Sequence, residues 1–446
     1  MGSGAFSCRR LNPVSVWASA LLLMQSTVLA ADFDPSVMTL SAATLVANQP
    51  LQGEHYRIAD QVINRGFMNH YTVSSDFGEF SADSDQRLRA LLHELKAIDK
   101  LRGLQKTDVF GEAVVSAAQK PIQTVQKIAE QPVDTLKGVP QGVGRLFKRT
   151  ARQISDATKE AKRLNDERKE KSAQQDGESE SDPVSGTEIV EQGAEAGIEW
   201  GKSQLGQNKS IRTLAKQLGV DPYSPNKVLQ NELSEVAWVM TAGSFGAGQV
   251  VPGLPSGIDT LSDVNDLVWD THPVDLQLRN EKSLAEMGVS EDEVKRFFSN
   301  KHYSPSLQTM VVSALEKLDR VRGRAVLVDA AVAAESRSEA LAFAEIAESF
   351  ADYHSRQQPA ASIAGSAIWP LLETRSGTYV FFAPVDYLGW TSSVSASATS
   401  LTEDLRKRAP GHKLELRVQG GMSSLARRQL ESLGWVCVAS TGRSKQ

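Results

Sequence analysis

Short apolar runs alternate with turn residues in the first part of the chain. Over residues 55–82 the apolar positions are interrupted by turn formers such as Gly66 and Gly78, a pattern that predicts two or three short strands. A helix follows, because Ser84 can cap it and apolar residues recur behind it at helical spacing. These residues are Leu88, Leu91, Leu92, Leu95 and Ile98. The pattern predicts a small α+β unit over residues 31–106.

Residues 107–172 have a different, amphipathic pattern. Pro121 and Pro132 stand eleven residues apart, and each is followed by a branched apolar residue and then, two positions on, by a threonine. Eleven residues make three helical turns, so repeated copies keep their apolar side chains on one side. Proline fits the first position of a helix. We therefore predict short amphipathic helices that are punctuated by the prolines.

The residues that follow are divided by a change in composition. Residues 173–186 contain almost nothing apolar, which predicts a disordered linker. Over residues 187–360 apolar positions recur at helical spacing, which predicts a helical domain. Its clearest apolar face comprises Phe343, Ile346, Ala347, Phe350 and Tyr353.

The last part of the chain, residues 361–446, alternates between two patterns. Strands are predicted at 378–384, 413–418 and 435–439, and helices at 393–408 and 423–433. Strands that alternate with helices of this length form βαβ units, so we predict an α/β domain with a short parallel sheet. The fold class predicted for the whole chain is α+β, multi-domain and mostly helical.

The first 30 residues predict export. Arg9 and Arg10 precede the apolar residues 16–24, and the segment ends with the small residue Ala30, as secretory signal peptides do. The apolar run is shorter than the ~20 residues that span a membrane. We therefore predict a signal peptide that is removed, and a periplasmic or secreted protein. Cleavage removes Cys8 and leaves Cys437 as the single cysteine, so no intramolecular disulfide is expected.

Charge is distributed unevenly along the chain. The whole sequence has 49 Lys and Arg against 54 Asp and Glu, which gives no reason to expect nucleic acid as a partner. Residues 119–172 have 13 against 7. With its prolines and its eleven-residue period, this segment resembles the lipid-surface segments of exchangeable apolipoproteins. The resemblance implies contact with an anionic membrane surface. The residues predicted to make this contact are Leu136, Leu146, Phe147, Lys148, Arg149, Arg152 and Ile154.

Two alternatives stay open for the same segment. It could fill a groove of a partner protein, or it could pack on the domains of its own chain.

The rest of the sequence contains few candidates for chemistry. Asp259, Asp263, Asp266 and Asp270 would lie along one helix face, where they either bind a hard cation or are simply solvated. Residues 196–203 share part of the spacing of a phosphate-binding loop, but a predicted helix stands where the strand should be. No catalytic motif is recognisable. Catalytic residues are therefore unknown, and neither a cofactor nor a metal is predicted.

One turn has the right context for a ligand. Gly420, Gly421, Ser423 and Ser424 follow a predicted strand and open a predicted helix, where backbone N–H groups can bind an anion. Plain helix capping explains the same residues. Asp386 would lie on a neighbouring loop. It is a candidate because ligands of α/β sheets gather at the carboxyl ends of the strands.

Two functions follow from these observations. The leading hypothesis is an exported, non-enzymatic bacterial envelope protein that acts through protein or membrane-surface contacts. The alternative is an exported hydrolase or anionic-ligand-binding protein that uses the C-terminal α/β domain.

Overall fold

The computed structural model describes residues 33–46, 49–65, 67–108, 110–112, 209–242, 263–366 and 369–439. The predicted signal peptide, the predicted linker and nearly all of the predicted amphipathic segment lie outside these residues. Residues 196–203 and Asp259 lie outside them as well. What the sequence predicts for these parts stays a prediction.

Antiparallel strands form the first sheet. They are β1 (Met38–Ser41), β2 (Tyr56–Ile58), β3 (Gln61–Asn64), β4 (Asn69–Ser75) and β5 (Gly78–Ala82), with the short helix α1 (Ala42–Leu45) after β1. β4 pairs with β2, β3 and β5, and β1 pairs with β3. Asn69, Tyr71 and Val73 alternate along β4 and are buried, which is the pattern of a sheet with one covered face.

A long helix lies against this sheet. α2 (Asp85–Gln105) begins where the sequence predicts, at the N-cap Ser84, whose hydroxyl accepts a hydrogen bond from the backbone N–H of Arg87. The five apolar residues predicted for its inner face are all buried.

Two later helices complete the same hydrophobic core. α3 (residues 209–218) and α4 (Lys227–Ala242) contribute buried residues such as Leu214 and Leu233 to the cluster that contains Leu95 of α2 and Val73 of β4. The sequence pattern predicts these helices as part of the helical domain of residues 187–360. The core joins them to the N-terminal strands, and the predicted boundary itself stays a prediction.

Helices make up the middle of the described chain. They are α5 (Asp263–Asp270), α6 (Pro273–Glu286), α7 (Glu291–Ser299), α8 (Pro305–Glu316), α9 (Arg324–Val332) and α10 (Arg337–Arg356). Proline occupies the first turn of α6 and α8, and Ser290 with Glu293 forms a reciprocal capping box on α7. The predicted apolar face of α10 is buried.

The C-terminal sheet is mixed. Its strands are β6 (Ala360–Ala364), β7 (Leu371–Thr374), β8 (Thr378–Ala383), β10 (Lys413–Val418) and β12 (Trp435–Ala439). A separate pair comprises β9 (Tyr387–Leu388) and β11 (Gly421–Met422). β8, β10 and β12 are parallel as predicted, whereas β6 and β7 are antiparallel and were not predicted. The predicted short parallel sheet is therefore part of a larger, mixed one.

Helices lie on both faces of this sheet. α11 (Ser392–Arg408) and α12 (Ser424–Ser432) supply Leu405 and Leu430 to the core under one face. Phe350 of α10 lies against the other face, in the core that contains Val380. The described chain is thus broadly α+β. Among its described helices, none has both the length and the hydropathy that are needed to cross a bilayer.

The shared N-terminal core predicts how a substitution in α4 acts. We expect Leu233→Ala to lower the free energy of unfolding by about 2 to 5 kcal/mol, because it leaves a cavity in a fully buried site. Hydrogen exchange at the β4 amides should accelerate in the same variant. Urea unfolding measures the loss of unfolding free energy. Asn231→Ala, at an exposed position of the same helix, is the control. Unchanged exchange in β4 would contradict the shared core.

Candidate functional site

The loop that follows β8 is the meeting point of the two sheets. In this loop the backbone N–H of Asp386 donates to the carbonyl of Phe67 at 3.0 Å, and its own carbonyl accepts from the N–H of Gly421 at 2.8 Å. Asp386 therefore lies between the start of β4 and the glycine turn before α12. This is the carboxyl end of a parallel strand, where ligands of α/β sheets gather.

The carboxylate of Asp386 is held by backbone donors from the N-terminal sheet and its helix. Oδ2 accepts from the N–H of Asn69 at 2.9 Å and from the N–H of Asp85 at 3.1 Å. Asp85 is the first residue of α2, so the acceptor lies at the positive end of the helix dipole. These bonds connect residues that are about 300 positions apart in sequence.

A second carboxylate strengthens this connection. Oδ1 of Asp85 accepts from the hydroxyl of Tyr71 at 2.5 Å and from Nδ2 of Asn69 at 2.8 Å. Nδ2 of Asn64 in turn donates to Oδ1 of Asn69 at 2.9 Å. The polar side chains that β3 and β4 bury are therefore satisfied by one another and by the first turn of α2.

Asp85, Glu345 and Asp386 form a carboxylate cluster, and burial and like charge raise the pKa of two of its members, Glu345 and Asp386. Burial, and then the carboxylate of Asp85, raise the pKa of Asp386 to about 7, although two backbone N–H groups oppose the change. On α10, burial and then Asp386 raise the pKa of Glu345 to about 8. Arg89 opposes both changes. Asp386 and Glu345 can therefore take up protons near neutral pH.

The glycine turn packs tightly against the loop of Asp386. The N–H groups of Gly420, Gly421 and Ser423 donate to the carbonyls of Val385, Asp386 and Leu388 at 2.8 to 2.9 Å. A Cβ on Gly420 would lie 2.0 Å from the Asp386 carbonyl oxygen, so only glycine fits at this position. Ser423 caps α12 by accepting from the N–H of Ala426. Backbone carbonyls thus already take these three N–H groups.

A carboxylate of the chain itself lies at this turn. Oδ2 of Asp34 accepts from the N–H of Trp390 at 2.6 Å and from the hydroxyl of Ser423. The N–H of Asp34 donates back to the Trp390 carbonyl at 2.9 Å. The predicted contact of an external anion with Gly420, Gly421, Ser423 and Ser424 stays a prediction, and Ser423 has an internal carboxylate as its partner.

The other candidates from the sequence are placed as follows. Asp266 and Asp270 both lie near Nζ of Lys216, at 3.4 and 2.7 Å. Within the described part of the chain, no group of three or more His, Cys, Asp and Glu side chains is arranged to hold a metal. Burial raises the pKa of the Cys437 thiol to about 11, so the thiol stays protonated at neutral pH.

The predicted contact residues from Leu136 to Ile154 lie outside the described residues.

Comparisons with protein-family models, with curated proteins and with solved structures find no match for this chain. What the site does is therefore argued from its geometry and from the sequence.

The sequence pattern points to Asp386 but not to the residues that contact its carboxylate. Asn69, Asp85 and Glu345 lie in elements that the pattern predicts well, yet their contacts cross about 300 residues or join separate elements. Asp34 was missed for the same reason, since Ser423 is 389 residues away. The sequence offers one sign of these contacts, because Asn69 begins a strand and Asp85 begins a helix. Ordinary capping also explains polar residues at such positions.

The raised pKa values predict how stability depends on pH. The pKa of Asp386 lies near 7 in the folded chain and near its ordinary 3.8 when unfolded, so between these values the folded chain holds a proton that the unfolded chain has lost. Stability should therefore fall as pH rises from about 5 to 8. We expect Asp386→Asn to remove about 1 to 2 kcal/mol of this fall, after allowance for solvent screening.

Urea unfolding at pH 5, 6.5 and 8 measures this dependence. Asp319→Asn, at an exposed position remote in sequence from the cluster, is the control and should keep the pH dependence of the parent chain. An Asp386→Asn variant with an unaltered pH profile would show that Asp386 is ionised throughout this range.

The Asp34 contact predicts the protection of one amide. In Asp34→Ala the buried N–H of Trp390 loses its acceptor, and we expect it to exchange at least about tenfold faster. Hydrogen exchange resolved to single residues gives this rate. Asp60→Ala removes a comparable carboxylate, which accepts from Ser41 and the N–H of Ala43, and should leave Trp390 protected. Equal protection in both variants would mean that Asp34 does not hold this loop.

Proposed function

We propose that this chain is an exported, non-enzymatic protein of the bacterial envelope that acts by binding an anionic membrane surface through its basic amphipathic segment, residues 107–172. The observation that carries the proposal is the excess of positive charge in residues 119–172, with 13 basic against 7 acidic residues in an acidic chain. Amphipathic helices with basic residues beside apolar ones bind at the headgroup boundary of anionic membranes.

The basic and apolar residues of the segment have complementary roles in this proposal. Phe147 and its neighbours would enter the boundary between headgroups and acyl chains, while Lys148, Arg149 and Arg152 would lie against the anionic headgroups. Each basic residue near such a surface contributes about 1 kcal/mol, and the attraction is screened by salt. Binding should therefore need both anionic lipid and the apolar residues.

The described helices before and after this segment support the proposal. α2 precedes it and α3 follows it, and both helices belong to the same hydrophobic core. The C-terminal end of α2 is also tied to α4, because Nε of Arg102 donates to Glu232 at 2.7 Å and Nε2 of Gln105 donates to the same carboxylate at 3.1 Å. The chain thus leaves this folded unit after α2 and returns to it at α3, and the segment lies in the stretch between these helices.

The finer division of the chain belongs to the same proposal. It comprises a signal peptide (1–30), an α+β unit (31–106), the basic segment (107–172), a linker (173–186), a helical domain (187–360) and an α/β domain (361–446). Three of the four hydrophobic clusters in the described residues support several packing units, one around α2, one around α8 and α10, and one under α11 and α12.

Vesicle sedimentation tests the proposal. We expect the purified protein to sediment with vesicles that contain phosphatidylglycerol, to release at high salt, and to stay in solution with phosphatidylcholine alone. The triple variant Leu136→Asp, Phe147→Asp, Ile154→Asp should bind at least about tenfold more weakly, because charges replace the inserted side chains.

A matched control separates insertion from net charge. Gln123→Asp, Gln141→Asp, Gln153→Asp adds the same negative charge at polar positions of the segment and should weaken binding much less. Equal losses in the two triple variants would reduce the interaction to charge alone. No binding to anionic vesicles by the parent chain would overturn the membrane proposal and favour a partner protein or the chain's own surface as the contact.

A further inference from the structure

A cavity of about 560 Å³ opens at the amino ends of β8 and β10. It lies at the opposite edge of the C-terminal sheet from Asp386, because Thr378 and Lys413 are the first residues of their strands. Its size is that of sites for small molecules. Among the residues that line it are Pro359, Arg375, Ser376, Lys413, Leu414 and Val436.

Hydrogen bonds fix the walls of this cavity. The N–H of Arg375 donates to the Pro359 carbonyl, and the N–H of Lys413 donates to the Gly377 carbonyl, both at 3.1 Å. The hydroxyl of Ser376 donates to the side chain of Gln358 at 2.8 Å. Gly377 has a φ of 77°, which lets the turn between β7 and β8 close sharply. The turn is therefore joined to the segments on either side.

The cavity carries positive charge that its own residues leave uncompensated. Its one carboxylate, Glu415, accepts from Nε of Arg417 at 2.6 Å and from the hydroxyl of Tyr353 at 3.2 Å. Within the part of the chain that the structure describes, neither Arg375 nor Lys413 forms an ion pair with a carboxylate. Two cations therefore line a cavity whose acidic group is already neutralised, which favours an anionic ligand.

An apolar wall lies beside these cations. Pro359 and Val436 line the same cavity, and Val436 is 59 % exposed. Val436 lies beside Glu415 in the register of β10 and β12, on the face where Lys413 also lies. A ligand with an apolar part would cover this valine and gain free energy from its removal from water.

We propose that this cavity binds a small organic anion, a carboxylate or a phosphate monoester, whose charged group is bound by Arg375 and Lys413 and whose apolar part lies against Pro359 and Val436. The inference does not depend on the proposed membrane function, because it uses a different part of the chain. It differs also from the anion contact that the sequence predicts at the glycine turn, which lies at the other edge of the sheet.

Four probes separate charge from apolar contact. Hexanoate and hexyl phosphate carry both features, acetate carries only the charge, and hexanol carries only the chain. With the full chain, saturation-transfer NMR and calorimetric titration should detect hexanoate and hexyl phosphate, with acetate at least about fivefold weaker and hexanol undetected. The stronger of the two hexyl anions identifies which anionic group the cavity prefers.

Variants assign the binding to this cavity. Arg375→Gln with Lys413→Gln should weaken both hexyl anions at least tenfold, and Val436→Ser should reduce the advantage of hexanoate over acetate. Lys407→Gln with Arg428→Gln, two exposed cations of α11 and α12, should leave binding unchanged. The proposal is overturned if neither hexyl anion binds, if hexanol binds as well as hexanoate, or if the Arg375→Gln, Lys413→Gln variant binds like the parent.

Discussion

The contact between the two sheets depends on the hydrogen bonds that the carboxylate of Asp386 accepts. It accepts the N–H groups of Asn69 and Asp85, which begin β4 and α2, while the backbone of the same residue bonds to Phe67 and Gly421. One residue thus joins the N-terminal sheet, its covering helix and the glycine turn before α12. A buried carboxylate without hydrogen-bond partners would be costly. The sheet, the helix and the glycine turn therefore keep the positions in which its hydrogen bonds are made.

The two edges of the C-terminal sheet differ in chemistry. At the carboxyl ends of the strands, acidic groups are enclosed by the chain, and even the donor on Ser423 is occupied by Asp34. At the amino ends, Arg375 and Lys413 line an open cavity beside a neutralised glutamate. Ligands of parallel sheets usually bind at the carboxyl ends, and here that edge serves to connect the chain to itself. The edge left open to a ligand is therefore the less usual one.

Sequence patterns predicted those parts of the fold that local rules decide. The βαβ elements after residue 378 and the cap of α2 were found because periodicity and capping act over a few residues. The small residues of β6 gave no strand signal, so the sheet was expected to be purely parallel. The carboxylate cluster could not be predicted, because each of its polar residues reads locally as a cap or as an ordinary surface glutamate. Asp386 alone was named, and only from its place after a strand.

The long sequence separation of the Asp34 and Asp386 contacts has a consequence for folding. During synthesis the N–H groups of Asn69 and Asp85 emerge about 300 residues before their acceptor, and Asp34 emerges 389 residues before Ser423. Each of these contacts closes a loop of 301 to 389 residues, which costs chain entropy. The connection between the sheets thus becomes available only after Asp386 and Ser423 have been synthesised, long after the N-terminal strands.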